Sequence, residues 1–204
     1  MRPNRAGAPG ALGLAVVLVM LSVGALPARA ATTWHFNEGA NGLRSANTYA
    51  QGRTPAGQMS MKLEVRCRPG PDGVASIVYS VRNAQAIRGF NFDDFEGADA
   101  PATKRKLATI RVVALRRDVS VTTSVTGSYL EDGSFAFLLS APLVGRNEVK
   151  WLTDAIILGA VLIVVTVQDP RDNNRRVYAQ FQASNASASV TNTMDGCTPA
   201  TASR

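Results

Sequence analysis

One stretch restricts the possible folds more than any other: Met59, Met61, Leu63, Val65 and Cys67 alternate with Ser60, Lys62, Glu64 and Arg66. Successive side chains of an extended chain point to opposite faces, so a period of two specifies a strand with one face in a core and one in water. Pro69, Gly70, Pro71, Asp72 and Gly73 then read as a turn. Ala75, Ile77, Tyr79 and Val81 resume the alternation, which predicts a hairpin with Cys67 facing inward. Further short strands are expected over 89–92, 108–115, 119–125 and 134–139, the last with Phe135, Phe137 and Leu139 on one face. Short strands at regular spacing, separated by turn signals, belong to sandwiches and barrels. We therefore expect a mainly β protein, an antiparallel β-sandwich over 59–197 with one or two short helices.

The pattern changes once. Val149, Leu152, Ile156 and Ile157, with Trp151 and Ala155 alongside, follow helical spacing over 146–158, and Gly159 supplies a stop. The β-branched run 161–167 reads as a central strand buried on both faces, since an apolar stretch of only 13 residues from Ala155 is too short for a membrane span. A polar connection over 169–174 leads to a strand at 177–183 and a last short helix at 186–194, with Ser184 or Asn185 as its cap. Upstream, 31–58 is polar and rich in glycine and asparagine, and reads as a loop-rich lead-in with one short strand near Trp34, His35 and Phe36. Residues 198–204 read as a flexible tail.

The first 30 residues give the chain an address. Arg2 and Arg5 precede an apolar run of 16 residues from Ala11 to Leu26, and Ala28 and Ala30 bracket Arg29. A basic start, an apolar centre and small residues at the cleavage position define a secretory signal peptide cut after Ala30, with an uncleaved anchor as the alternative. Cleavage removes three arginines and no acid, which lowers the net charge from +7 to +4, with 19 Lys and Arg against 15 Asp and Glu. An even pair of cysteines in a chain bound for an oxidising compartment, Cys67 and Cys197, predicts a disulfide closing a long loop. After cleavage no stable membrane span is expected, and the location is periplasmic or secreted.

The chemistry-bearing residues are few. A single histidine, His35, rules out any site built from two or more histidines, and beside Trp34 it reads as a packed or hydrogen-bonded side chain, with a base or ligand as the alternative. Asp93, Asp94, Glu96 and Asp99 form the densest group of carboxylates, but without the spacing of a calcium loop they read as a solvated acidic segment. A metal-dependent or general acid–base enzyme using that segment is the enzymatic alternative. No nucleophile elbow, phosphate-binding loop, dinucleotide fingerprint or zinc-binding H-E-x-x-H helix occurs. Basic residues cluster at Lys104, Arg105 and Lys106, at Arg116 and Arg117, and at Arg175 and Arg176. No aromatic residues interleave with them as single-strand recognition requires, so nucleic acid is not an expected partner. Asn185, Ala186 and Ser187 spell a glycosylation sequon of a kind common by chance.

From Leu63 to Cys67, through 135–139, Trp151, Leu152 and the run Phe181, Gln182, Ala183, Ser184, Asn185 to Cys197, the chain resembles a bacterial pattern. It is similar to small exported proteins of the invasion-associated locus B type and to VasI-like proteins associated with type VI secretion. Asn185 stands where those families carry glycine, and the terminal helix is more polar than theirs. The resemblance implies an envelope or periplasmic β-sandwich without known catalysis. The expected function is therefore non-catalytic binding of another protein in host interaction or secretion, through a sheet edge or loop surface, with no cofactor and no metal. The alternative is a sandwich that binds a small ligand or lipid in a cavity under the 146–158 helix.

Overall fold

The computed structural model describes residues 33–70, 73–142, 147–195 and 197. The expected signal segment 1–30, the expected tail 198–204 and part of the 69–73 turn lie outside the described residues. The alternating stretch forms β3 (Gly57–Arg68), which pairs antiparallel with β4 (Val74–Val81) from Met61 opposite Val81 to Arg68 opposite Val74. Met61, Leu63, Val65 and Cys67 are buried, as their spacing requires. β4 in turn pairs with β8 (Phe135–Pro142), and β8 with β7 (Thr126–Tyr129).

The lead-in holds more structure than its composition suggests. Besides β1 (His35–Glu38), it contains β2 (Arg44–Thr54), which pairs with β3 from Arg44 opposite Cys67 to Thr54 opposite Gly57. The inward side of β2 is built from small residues, Ala46, Thr48, Ala50 and Gly52, so it carries little hydrophobic signal. Gly52 is required there: a Cβ at that position would stand 2.1 Å from the Met61 sulfur and 2.6 Å from the Tyr178 carbonyl oxygen.

The second half of the chain adds β5 (Ala108–Ala114), β6 (Val119–Thr123), β9 (Ala160–Gln168) and β10 (Arg176–Gln182). Among the described residues the ten strands form one sheet in the order β6-β5-β9-β10-β2-β3-β4-β8-β7, with β1 on β2. This corrects the expected sandwich. Alternation records that one face of each strand is buried, but here that face is covered by the curl of the same sheet into a half-barrel and by two helices, not by a second sheet. The helices are α1 (Glu148–Ile157) and α2 (Ala186–Met194); they touch each other, α1 lying on β5 and β6 and α2 on β1, β2 and β3. No helix among the described residues is long and apolar enough to cross a membrane.

Two further expectations are corrected. β9 has one buried face, Ile163, Val165 and Val167, while Leu162, Val164 and Thr166 on the other are half-buried beside Arg111, Gln180 and Tyr178. The stretch 89–92 is not a strand. Gly89 takes φ +85°, and the chain coils into a 3-10 turn, Phe92–Phe95, that brings both phenylalanines to one side. Phe92 meets Phe135 with ring centroids 5.1 Å apart, and Phe95 meets Phe137 edge-on at 5.1 Å, giving this end of the core an aromatic filling. Cys67 and Cys197 are disulfide-bonded across 130 residues, fastening the end of α2 to the end of β3.

Candidate functional site

Asn147 caps the start of α1: its side-chain oxygen accepts from the Lys150 amide at 2.9 Å. Val149, Leu152, Thr153, Ala155 and Ile156 turn inward and are buried. Trp151, the bulkiest apolar residue of the helix, instead turns outward and is 50% exposed. Trp151 and Leu158 lie seven residues apart with the buried Ala155 between them, so a second apolar stripe runs along the margin of the helix beside the inward one.

This stripe forms one wall of a groove of about 1020 Å³. The other wall is the turn between β5 and β6, where a register shift at Val113 and Ala114 ends β5 and carries Leu115 out of the sheet. Leu115 is 85% exposed and Leu158 80%. Scattered single apolar residues are ordinary on a protein surface, whereas three around one concavity mark a site of interaction. The space lies beside α1 and not beneath it, where Val149 and Leu152 are fully buried in the core.

Four charged residues border the groove, and they are not equivalent. Asp118 pairs with Arg111 of β5 at 2.5 Å, and Asp154 pairs with Lys150 one helical turn away at 3.0 Å. Arg116 and Arg117 are exposed and have no hydrogen-bonded or ionic partner among the described residues. The groove therefore offers an apolar floor and two uncommitted guanidinium groups.

The acidic segment is differently employed. Asp93 accepts from the Tyr129 hydroxyl at 2.9 Å, and burial together with this neighbour pushes the phenol up to about 12. Asp94 is held by Arg171 through two parallel hydrogen bonds of 2.7 and 2.5 Å. The Arg171 guanidinium holds the Asp94 carboxyl below its usual range. Among the described residues no three His, Cys, Asp or Glu side chains stand together in a way that could hold a metal ion. The aspartate that organises this region, Asp169, was missed from sequence. Fully buried, its carboxylate accepts from the Asn91 backbone at 2.7 Å, from the Asn91 side chain, and from the amides of Arg171 and Asp172.

A pH prediction follows from Asp94. Because its folded-state pKa is depressed, its pairing stabilises the protein above the unfolded value near 3.8, and that contribution is lost as pH falls through the folded value. Arg171→Gln should lower the melting temperature by a few degrees at most, as exposed pairs contribute little. The deficit should be constant above about pH 5 and shrink as pH falls below the unfolded value near 3.8, which thermal melts across that range would register.

Elsewhere the singled-out residues are dispersed. His35 lies exposed on β1 opposite Asn47, while Trp34 is buried and its indole N–H donates to the Gln182 carbonyl at 2.9 Å. Lys104, Arg105 and Lys106 are exposed, with Arg105 donating to the Pro170 carbonyl, and Arg175 pairs with Asp172 at 3.0 Å. On the outer face of β3, burial pushes the Glu64 carboxyl up, but Arg66 and Lys62, each at 2.9 Å, outweigh it and leave the group below its usual range. Ser187 of the sequon is engaged with the Ile157 carbonyl at 2.7 Å, and Asn185 begins α2 without a side-chain cap. Set against protein-family models, the curated proteins and the solved structures, the chain matches none.

Proposed function

We propose that this is an exported, non-catalytic accessory protein of the cell envelope or its exterior, and that it binds another protein through the groove beside α1. The observation that carries the reading is the exposure of Leu115, Trp151 and Leu158 around one concavity. Tryptophan and arginine at the centre of such a patch are the residues that most often dominate binding energy. The disulfide accords with an oxidising compartment, as does the signal-like start of the sequence. The resemblance of its short sequence motifs to invasion-associated locus B type and VasI-like proteins implies the same role.

The test is a crosslinked capture from the protein's own envelope at low and high salt, comparing the mature oxidised protein with Trp151→Ala. A partner that survives high salt should be recovered at least tenfold less by the variant, consistent with the 1 to 4 kcal/mol typical of a buried interface tryptophan. The variant itself should keep its melting temperature, because half of the indole is already in water. Equal capture by both proteins would remove the groove from the function. A small molecule retained in native mass spectra, with no protein captured, would favour the ligand-binding alternative.

A further inference from the structure

The groove ends at a strand edge, and the two together suggest what the partner offers. β6 is the last strand on its side of the sheet. Val119–Thr123 pair with β5 and form no other backbone hydrogen bonds among the described residues. The strand at the opposite end, β7, is capped: Glu96 bridges Gly127, and the Gly97 amide donates to the Gly127 carbonyl at 3.0 Å. β1 carries α2 on it as β6 carries α1, and it pairs with β2 alone at the side of the sheet path. β6 therefore differs from β7 in having an uncapped edge.

Natural edge strands are commonly blunted by lysine, proline, an inward charge or a bulge. β6 reads Val-Ser-Val-Thr-Thr, uncharged and β-branched at four of five positions, with none of these devices. Val119 and Ser120 also line the groove, so its floor continues directly into the open edge. Arg116 and Arg117 stand immediately before β6, at the end where a strand laid along it would pass.

We propose that β6 and the groove take up an extended peptide of the partner as an eleventh strand, its apolar side chains reaching toward Trp151 and Leu158 and acidic residues at one end meeting Arg116 and Arg117. This rests on the protein-binding function proposed above. Strand addition supplies main-chain hydrogen bonds irrespective of sequence, and pockets for alternate side chains supply selectivity. The charge argument selects an acidic segment, because Asp118 and Asp154 are neutralised by Arg111 and Lys150 and the two arginines are not. The chain's own ends do not fit: 1–30 holds three arginines and no acid, and 198–204 holds neither an acid nor a large apolar residue.

The experiment uses the full oxidised protein and a fluorescent nonapeptide with a Leu-Thr-Leu-Thr-Leu centre and two glutamates at each end. Its binding is compared with that of the same peptide carrying lysines at the ends, and with two N-methylated forms, one at the leucine amides and one at the threonine amides. The glutamate peptide should bind at least tenfold tighter than the lysine peptide, with the margin shrinking as salt rises. Arg116→Ser with Arg117→Ser should erase that preference. Methylation should abolish binding in one register and spare it in the other, because alternate amides of an added strand face β6 and solvent. Equal effects of the two methylation patterns would overturn strand addition. No binding of the glutamate peptide, while the envelope partner is still captured through Trp151, would overturn this inference and leave the proposed function standing. Loss of that capture as well would overturn both.

Discussion

Replacing Cys67 and Cys197 together by alanine should lower the melting temperature of this protein by roughly 10 to 18 °C. The two residues are 130 apart in sequence, and in the chain-entropy treatment a cross-link over that length stabilises by about 4 to 5 kcal/mol. Both are buried, so alanine avoids placing an unpaired hydroxyl in the core. The loss should be visible locally as well as globally. α2 covers the small-residue face of β2, and the bond fastens its far end to β3. Amides of α2 should therefore exchange faster in the variant than those of β3, β4 and β8. Wild-type protein treated with reductant should reproduce the effect; a melting temperature within 2 °C of the oxidised form would show that the cross-link contributes little.

The second large effect is expected at Asp169. Asp169→Ala removes the common acceptor of the Asn91, Arg171 and Asp172 amides and leaves these part-buried donors without their buried partner. An unsatisfied donor costs about 1 to 3 kcal/mol when fully buried; with three donors that water can partly reach, the low end applies and the variant should lose about 3 kcal/mol in all. Asp169→Asn keeps one acceptor oxygen and should lose less. Because Asn91 immediately precedes the Phe92–Phe95 turn, exchange at the Asn91 amide reports directly on the contact. An Asn91 amide that exchanges equally slowly in wild type and Asp169→Ala would contradict the role assigned to the carboxylate.

These two sites show how differently residues announce themselves. The cysteine pair was legible because a signal-like start and an even number together leave few alternatives; β3 was legible because bulky apolar residues alternate with polar ones, and β4 and β8 because their largest apolar residues recur at every second position. β2 was not, because closeness of its neighbours demands small side chains on its inner face: Gly52 lies under Met61 and against the Tyr178 carbonyl. The half-barrel was hidden for a related reason. A strand's alternation states that something covers one face, and helices and a second sheet leave the same imprint. Asp169 looked like an ordinary turn residue, since its main partner, Asn91, is 78 positions away. The groove was partly legible: Arg116 and Arg117 stood out, and the Trp151, Ala155 and Leu158 stripe was present at helical spacing, overshadowed by the inward-facing set.

The way β2 is shared between two neighbours also bears on how the molecule comes into being. Arg44 to Asn47 pair with β1, and Gly52 and Arg53 pair with β10, more than 120 residues further along. Trp34 donates to the carbonyl of Gln182, and Ser189 donates to the carbonyl of Trp34, so the beginning and the end of the described chain meet at one corner. A polypeptide that emerges N-terminus first cannot close that corner until nearly all of it is available. β2 and β3 must wait as an incomplete hairpin, and completion depends on the last fifth of the chain and on oxidation of Cys67 and Cys197. Such a protein is finished last at the place where it was begun.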